Sequence, residues 1–184
     1  MPYEFKELDL KGLFLIKPKV YYDERGFFME TYTKKDFEEH GIRDNFVQDN
    51  HSFSIKNTLR GLHFQKKPYA QSKLVRCISG EIMDVAVDLR KNSGTFGKFA
   101  KVILSSENKN MLYIPEGFAH GFLVLSDYAE IIYKVNNFYS KEADSGIIWN
   151  DPDIGIDWPI ENPIISQKDK SLPRLRDIID KLEW

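Results

Sequence analysis

The sequence is poor in cysteine, which bears on where the protein resides and how it is stabilised. Cys77 is the only cysteine in 184 residues, so the chain cannot form an internal disulfide. It lies among apolar residues, without a neighbouring His or second Cys, and we interpret it as a structural thiol. The pattern is typical of a reducing compartment, and we expect a cytoplasmic location.

An excess of positive charge is also missing. The 26 Lys and Arg residues are balanced by 28 Asp and Glu residues, and the formal net charge is -2. A basic surface for nucleic acid is therefore not predicted, and we expect no nucleic-acid partner. An anionic ligand would have to be met by individually placed Arg and Lys side chains.

Long apolar runs are the third absence. The stretch 1–18 carries a charged residue every few positions, where a signal peptide would need an apolar core. No run of about 18 apolar residues, the length that spans a bilayer, occurs anywhere in the chain. We therefore expect no association with a membrane.

Short runs rich in Val, Ile, Phe and Tyr recur between clusters of Gly, Pro, Asn, Asp and Ser. This pattern predicts many strands and an all-β protein. The runs occupy 14–22, 73–79, 81–89, 98–105, 110–115, 121–126 and 129–135. Because no repeat or linker-like segment interrupts the chain, we predict one domain over 1–184, a β-sandwich or jelly-roll barrel with a few short helices.

Two segments carry helix signals. Thr33 is placed to cap a helix that starts at residue 34 and ends at Gly41. Ser171 is placed to cap a C-terminal helix with Pro173 in its first turn. The apolar stripe of that helix is Leu175, Ile178, Ile179 and Leu182. We expect both helices to cover the sheets.

Two polar side chains fall on the inner face of predicted strands. Alternation places Lys73 with Val75 and Cys77, and Tyr133 with Ile131. An inward tyrosine is common in a protein core. An inward lysine is rare because burying an unpaired ammonium is costly, so Lys73 indicates a ligand or a partner.

A histidine and an arginine lie close to this lysine in the chain. Alternation separates Arg60 from His63, unless a bulge at Gly61 turns both side chains toward one cavity. His120 follows a Pro and Gly turn in the stretch PEGFAH, at the edge of a predicted strand. Together these side chains predict a site.

Four histidines also raise a metal hypothesis. A cupin metal site uses an H-x-H pair, but the residue two positions after His63 is Gln65. His51 is the residue that would have to complete a set with His63 and His120, while His40 is expected in solvent. The pattern favours acid-base chemistry without a metal, and a metal-dependent cupin oxygenase is the alternative.

The most specific motifs of the sequence, in their order along the chain, are LRGLH, KLVR-x-x-x-GE, IPEGFAHGF and S-x-KD. With these motifs the sequence strongly resembles the dTDP-4-dehydrorhamnose 3,5-epimerase family. The blocks that carry the resemblance are 23–32, 46–54, 59–65, 71–99, 114–127, 131–139, 146–159 and 165–169. The resemblance implies a cupin-type jelly-roll β-barrel that works without a metal or other cofactor. It also implies a dTDP-sugar substrate and a homodimer in which each subunit lends part of the nucleotide site to the other.

The same resemblance implies roles for individual residues. His63 corresponds to the catalytic base and Asp169 to its carboxylate partner. Tyr133 corresponds to the acid on the opposite face of the sugar, and Lys73 to the group beside the ketone. Residues that correspond to substrate or nucleotide contacts are Arg25, Glu30, Gln48, Asn50, Arg60, His120, Asp144 and Lys168.

Two positions depart from the family pattern. Asp144 stands where many members have Glu, and Phe138 replaces a common Tyr. The implied reaction is epimerisation at C3 and C5 in dTDP-L-rhamnose synthesis, which serves polysaccharides. Two further alternatives are an enzyme that epimerises a related sugar at C3 alone, and a sugar-nucleotide-binding module without activity.

Overall fold

The structure is a computed structural model that describes residues 2–184. Its strands, in chain order, are β1 (Tyr3–Glu7), β2 (Phe14–Pro18), β3 (Val20–Asp23), β4 (Gly26–Met29), β5 (Gln48–Ile55), β6 (Leu59–Gln65), β7 (Lys73–Ser79), β8 (Glu81–Asp88), β9 (Phe99–Ser105), β10 (Met111–Ile114), β11 (Phe118–Val124), β12 (Tyr128–Val135) and β13 (Asp144–Gly146). The helices are α1 (Lys34–Glu39), α2 (Gln167–Lys170) and α3 (Leu175–Ile178), and a 3-10 turn follows at Ile179–Lys181.

Two antiparallel sheets form the body of the protein. One has the strand order β1-β2-β10-β7-β12-β5, and the other has the order β13-β6-β11-β8-β9. Their facing sides bury one core cluster, to which Val75 and Ile131 contribute from the first sheet and Ile82 and Phe122 from the second. Strand alternation thus divides each strand between this shared core and an outer face.

Each sheet is also covered on its outer face. Phe37 of α1 packs with Leu74 and Tyr113 over the first sheet. Leu175 and Leu182 of the C-terminal segment pack with Val85 over the second. The predicted all-β fold is confirmed, and the architecture is the cupin-type jelly roll that the resemblance implied.

The predicted helices differ in how well they agree with the structure. The first begins after Thr33 and ends before Gly41, which adopts φ +85°, but the Thr33 hydroxyl bonds Glu30 instead of capping the helix. The prediction that Ser171 caps the C-terminal helix is wrong. Its hydroxyl contacts the Lys168 carbonyl at the end of α2, and Arg174 precedes α3.

A separate hairpin, β3 and β4, pairs only with itself. Over residues 2–184 no helix has the length and apolar character that crossing a membrane requires.

Candidate active site

A cavity of about 690 Å³ opens beside the inner faces of β5, β6, β7, β11 and β12, with α2 at one side. A second cavity of about 300 Å³ adjoins it. Four side chains line both cavities: His63, Lys73, Tyr133 and Lys168. These shared walls make one region of the molecule the candidate site, with a larger and a smaller compartment.

His63 and Asp169 form a hydrogen-bonded pair, although 106 residues separate them in the chain. His63 Nε2 lies 2.7 Å from Asp169 Oδ1, and the backbone N–H of Gly61 donates to the other carboxylate oxygen at 3.2 Å. Burial raises the pKa of Asp169, but the hydrogen bonds from His63, Gly61 and Ser166 outweigh burial and lower it overall. An ionised Asp169 fixes the proton of His63 on Nε2 and leaves Nδ1 free to act as a base.

A bulge in β6 turns Arg60 and His63 toward the same cavity. His63 lies opposite His120 of β11, whereas Arg60 lies opposite Phe122, so β6 has one residue more than its partner in this stretch. Gly61 lies inside the bulge with φ +134°, a conformation that L side chains rarely adopt. The bulge foreseen in the sequence is present, and it brings both side chains to the larger cavity.

Gly61→Ala is expected to lower the free energy of unfolding by at least about 2 kcal/mol. A Cβ at Gly61 would lie 2.5 Å from the Cα of Gly121 in the neighbouring strand, in addition to the unfavourable φ. Urea denaturation measures the change. Gly94→Ala is the control because a Cβ there meets nothing within 4 Å, and equal stability losses in the two variants would contradict the prediction.

Lys73 begins β7 and projects into both compartments of the site. Burial lowers its pKa to about 8, although Asp84 and Asp144 oppose this shift. Lys73 is half-buried at the cavity wall, and the two carboxylates favour its charged form. Lys73 can place positive charge beside a bound carbonyl at neutral pH.

Tyr133 faces the site from β12 and packs against the shared core. Burial raises the pKa of its phenol, and nearby Arg60 lowers it to a smaller extent. The hydroxyl therefore carries its proton at neutral pH. It can donate that proton to a group inside the cavity.

His120 is buried in β11, opposite His63. Its Nε2 lies 2.8 Å from Asp84 Oδ1. Burial lowers the pKa of His120, while Asp84 opposes the shift. Sequence reasoning missed Asp84, yet a signal existed, because strand alternation places it between the apolar Ile82 and Ala86 on the inner face of β8.

The smaller compartment collects most of the other predicted contact residues. Gln48 and Asn50 face it from β5, and Gln48 donates to Asn50 at 2.9 Å. Asp144 accepts hydrogen bonds from Lys168 at 2.5 Å and from the exposed Tyr139 at 3.1 Å. The aspartate therefore reaches the site despite its shorter side chain.

The predicted contact residues near β3 and β4 are not brought to the site within this chain. Arg25 is 84% exposed and donates to Asp23, and Glu30 accepts from Thr33. Neither lines the larger or the smaller compartment. By contrast, Arg60 lines the larger one and is held by bonds to Ser54 and the Phe53 carbonyl.

The three histidines of the oxygenase alternative do not come together. His51 faces the outside of β5, where its Nε2 lies 3.0 Å from Glu130, and it is absent from both compartments. Within the part of the chain that the structure describes, residues 2–184, no three His, Cys, Asp or Glu side chains are grouped to hold a metal ion. His51 is therefore not placed to complete a metal set with His63 and His120, as the oxygenase alternative would require.

Comparison with known proteins supplies the family. The family model described as dTDP-4-dehydrorhamnose 3,5-epimerase matches residues 7–177. The chain belongs to the dTDP-4-dehydrorhamnose 3,5-epimerase family. This family consists of isomerases, and the resemblance predicted from the motifs is confirmed.

Two relatives in the epimerase family match over at least 90% of their own length. The enzyme named dTDP-4-dehydrorhamnose 3,5-epimerase from Shigella flexneri is 60% identical over 162 residues, which cover 88% of this chain and 90% of that protein. The protein of the same name from Methanothermobacter thermautotrophicus is 55% identical over 179 residues, covering 95% and 96%. A crystal structure of the epimerase from Legionella pneumophila in complex with dTDP-4-keto-L-rhamnose is 46% identical, with a TM-score of 0.91 and coverage of 95% and 93%.

Proposed function

We propose that this protein converts dTDP-4-dehydro-6-deoxy-D-glucose to dTDP-4-dehydro-L-rhamnose by inverting C3 and C5. The observation that carries the proposal is that His63, Lys73 and Tyr133 line one cavity, with Asp169 bonded to His63. Family membership and the ligand named for the Legionella structure support the choice of substrate.

The chemistry begins with a proton next to a ketone. The hydrogens at C3 and C5 are both α to the C4 carbonyl, so one site that stabilises an enolate serves both carbons. In the proposed reaction His63 takes the proton through Nδ1, and Asp169 stabilises the imidazolium that results. The pair is well placed for this because Asp169 is nearly excluded from solvent.

Negative charge then develops on the C4 oxygen. The ammonium of Lys73 is proposed to stabilise this oxygen, since a preorganised cation in a poorly solvated site needs little rearrangement as the charge appears. Burying a lysine usually costs free energy, but here the low solvation strengthens the interaction of its ammonium with the enolate oxygen.

Inversion requires a proton from the face opposite the base. We assign this donation to Tyr133, whose phenol is protonated at neutral pH. It projects from β12 of the first sheet, whereas His63 projects from β6 of the second. A sugar held between the sheets would thus meet a base on one side and an acid on the other.

The nucleotide is assigned to the polar groups around the sugar site. Arg60 and Lys168 are suited to diphosphate oxygens, because guanidinium and ammonium groups bind phosphate well. Gln48, Asn50 and Asp144 offer hydrogen bonds in the smaller compartment. Binding of the nucleotide would hold the sugar in register while two carbons react in turn.

Incubation of dTDP-4-dehydro-6-deoxy-D-glucose with the protein in D₂O tests the proposal. We expect deuterium at both C3 and C5, resolved by NMR, and a product with the L-rhamno configuration. Label at C3 alone would select the C3 epimerase, and tight binding without label would select the binding module. Absence of label at both carbons would falsify the proposed function.

Tyr133→Phe is expected to retain deuterium exchange but to lose at least about 100-fold in the rate of inversion. The variant keeps the ring and His63, so the α proton still leaves and returns from the same face. Comparison of solvent exchange with product formation measures the separation. Tyr128→Phe is the control, because Tyr128 lies in the same strand with an exposed side chain; inversion at the normal rate in Tyr133→Phe would exclude Tyr133 as the acid.

We also propose a homodimer in which the β3 and β4 hairpin contacts the second subunit. The hairpin exposes four aromatic side chains, with Tyr22 70% and Phe28 67% exposed, and Arg25 lies at its turn. Clusters of exposed aromatic side chains are typical of interfaces. An arginine carried across such an interface would reach the partner's site, which accounts for its distance from the site in its own chain.

The double variant Tyr22→Ser and Phe28→Ser is expected to weaken dimerisation at least about 100-fold. Each aromatic side chain would bury a large apolar surface in the proposed interface, and the loss occurs in both subunits. Sedimentation equilibrium measures the dissociation constant. Phe138→Ser is the control, as its ring is 63% exposed outside the hairpin. A double variant that dimerises as tightly as the wild type contradicts the assigned interface.

We infer a role in dTDP-L-rhamnose synthesis for polysaccharides, because reduction of the product's C4 ketone yields the L-rhamnose unit. We place this step in the cytoplasm. The lone Cys77 supports a reducing compartment, since the chain cannot form an internal disulfide.

A further inference from the structure

Asp84 is a buried carboxylate that the proposed reaction has not used. It lies in β8, its side chain is fully excluded from solvent, and it faces the core between the two sheets. One oxygen, Oδ1, bonds His120 Nε2 at 2.8 Å. The other, Oδ2, is buried and has no hydrogen-bond partner among residues 2–184.

A second buried aspartate in the same strand shows what a purely structural arrangement looks like. Asp88 is also fully excluded from solvent, and Arg90, Ser93 and Thr95 donate to its two oxygens. Buried carboxylates are normally satisfied in this way because an uncompensated charge in the core is costly. In the described part of the chain only one oxygen of Asp84 has a hydrogen bond, so the negative charge of the carboxylate must be balanced by a positive charge nearby.

The groups around Asp84 are the cavity-lining side chains. Lys73 of β7 lines the larger cavity together with His120. The charges of Asp84, Asp144 and Lys168 act on its ammonium. His120 bonds Asp84, lies opposite His63 in the sheet, and lines the larger cavity with His63 and Lys73. Asp144 is already paired with Lys168 at 2.5 Å. Of the two carboxylates that act on Lys73, Asp84 is therefore the one without a lysine or arginine ion pair among residues 2–184.

We propose that Asp84 is a positioning residue of the site, whose buried charge balances the ammonium of Lys73 and holds the proton of His120 on Nε2. Lys73 is then kept charged for the enolate oxygen, and His120 is left with Nδ1 as an acceptor. The mechanistic part of this inference rests on the proposed function. The electrostatic part concerns the protein alone.

The protonation of Lys73 gives the inference a measurable consequence. Burial lowers the pKa of Lys73 to about 8, and Asp84 is the first of the two carboxylates that oppose this shift. Asp84→Asn keeps the shape of the side chain and removes its charge, so the pKa of Lys73 should fall by roughly one unit. At pH 8 the charged fraction of Lys73 would then drop from about one half to about one tenth.

Competitive acetylation of the substrate-free protein tests this consequence. Trace acetic anhydride reacts with neutral amines, and mass spectrometry of the peptide that ends at Arg76 reports the reaction of Lys73 at each pH, with exposed Lys141 as the internal reference. We expect the midpoint for Lys73 to move to lower pH by roughly one unit in Asp84→Asn. A folded variant with an unmoved midpoint would overturn the proposal.

Asp88→Asn is the matched control for loss of a buried carboxylate in β8. It should reduce stability without moving the Lys73 midpoint, because its carboxylate is neutralised by Arg90. A shift as large as that of Asp84→Asn would show a general response to destabilisation and would also overturn the proposal.

A measurement on the wild type covers the case in which Asp84→Asn fails to fold. The ¹⁵N shifts of the His120 ring distinguish its tautomers, and we expect the neutral form with the proton on Nε2 at pH 7. The Nδ1 tautomer would contradict the assigned role of Asp84.

The pH dependence of turnover is a further test of the role of Asp84, and its outcome can be told apart from a failure of the proposed function. In Asp84→Asn, loss of activity relative to wild type should be about fivefold greater at pH 8 than at pH 6, whereas a structural defect would lower activity equally at both. Failure of the wild type to exchange deuterium would reject the proposed function. The acetylation and tautomer measurements would still test the electrostatic role of Asp84, because they need no substrate.

Discussion

His63→Ala is expected to lower deuterium uptake at both C3 and C5 by about 10² to 10⁴-fold, the range typical for loss of a general base. One imidazole is assigned to both carbons, so both exchange rates should fall together. The variant also leaves Asp169 without the hydrogen bond that spans 2.7 Å. NMR of the sugar during incubation in D₂O follows both positions in one experiment.

The control for this prediction is His51→Ala. His51 is also a strand histidine bonded to a carboxylate, Glu130, but its side chain is 54% exposed and lies outside both compartments. Its replacement should leave exchange at both carbons unchanged. Normal exchange in His63→Ala, or loss at only one carbon, would mean that another group serves as base.

Lys73→Met is expected to lower kcat by about 10² to 10³-fold, because one preorganised donor to the developing oxyanion is lost. Methionine retains much of the unbranched apolar stem and removes the charge. Steady-state kinetics with the 4-keto sugar nucleotide measure the loss. Lys134→Met is the control, since Lys134 neighbours Tyr133 in the chain but pairs with Asp49 and lines neither compartment.

The pH profile provides an independent check on Lys73. With a pKa of about 8, Lys73 is charged below that pH and becomes neutral as the pH rises through it. Activity that depends on the ammonium should therefore decline on the alkaline side near pH 8. The remaining activity of Lys73→Met should lack this decline; if it persists, it belongs to another group.

Strand periodicity predicted a substantial part of the candidate site. Alternation over two residues is a local property, and it correctly separated the inward Lys73 and Tyr133 from outward neighbours such as Lys134. The same reasoning identified Gly61 as the residue at which a bulge would unite Arg60 and His63. Their catalytic and binding roles stay predictions until the variants are measured.

Other parts of the site depended on contacts between distant segments. The link between His63 and Asp169 came from family resemblance, because helix α2 is only four residues long and carries no strong local signal. Ser171 was predicted to cap the C-terminal helix, but its hydroxyl bonds the Lys168 carbonyl at the end of α2. Helix α2 itself was not predicted, and its cap is Ser166, whose hydroxyl accepts from the Asp169 backbone N–H.

The sequence by itself determined the all-β class, the position of most strands, the inward direction of the key lysine and tyrosine, and the family. These features follow from steric and hydrophobic preferences that act over a few neighbouring residues, or from motifs in a fixed order. Only the tertiary structure decided that Asp84 bonds His120 at the site, that Arg25 lies away from its own site, and that His51 lies outside both compartments. Those outcomes depend on sheet register and strand order, which join residues far apart in the chain and set the charge that each one meets.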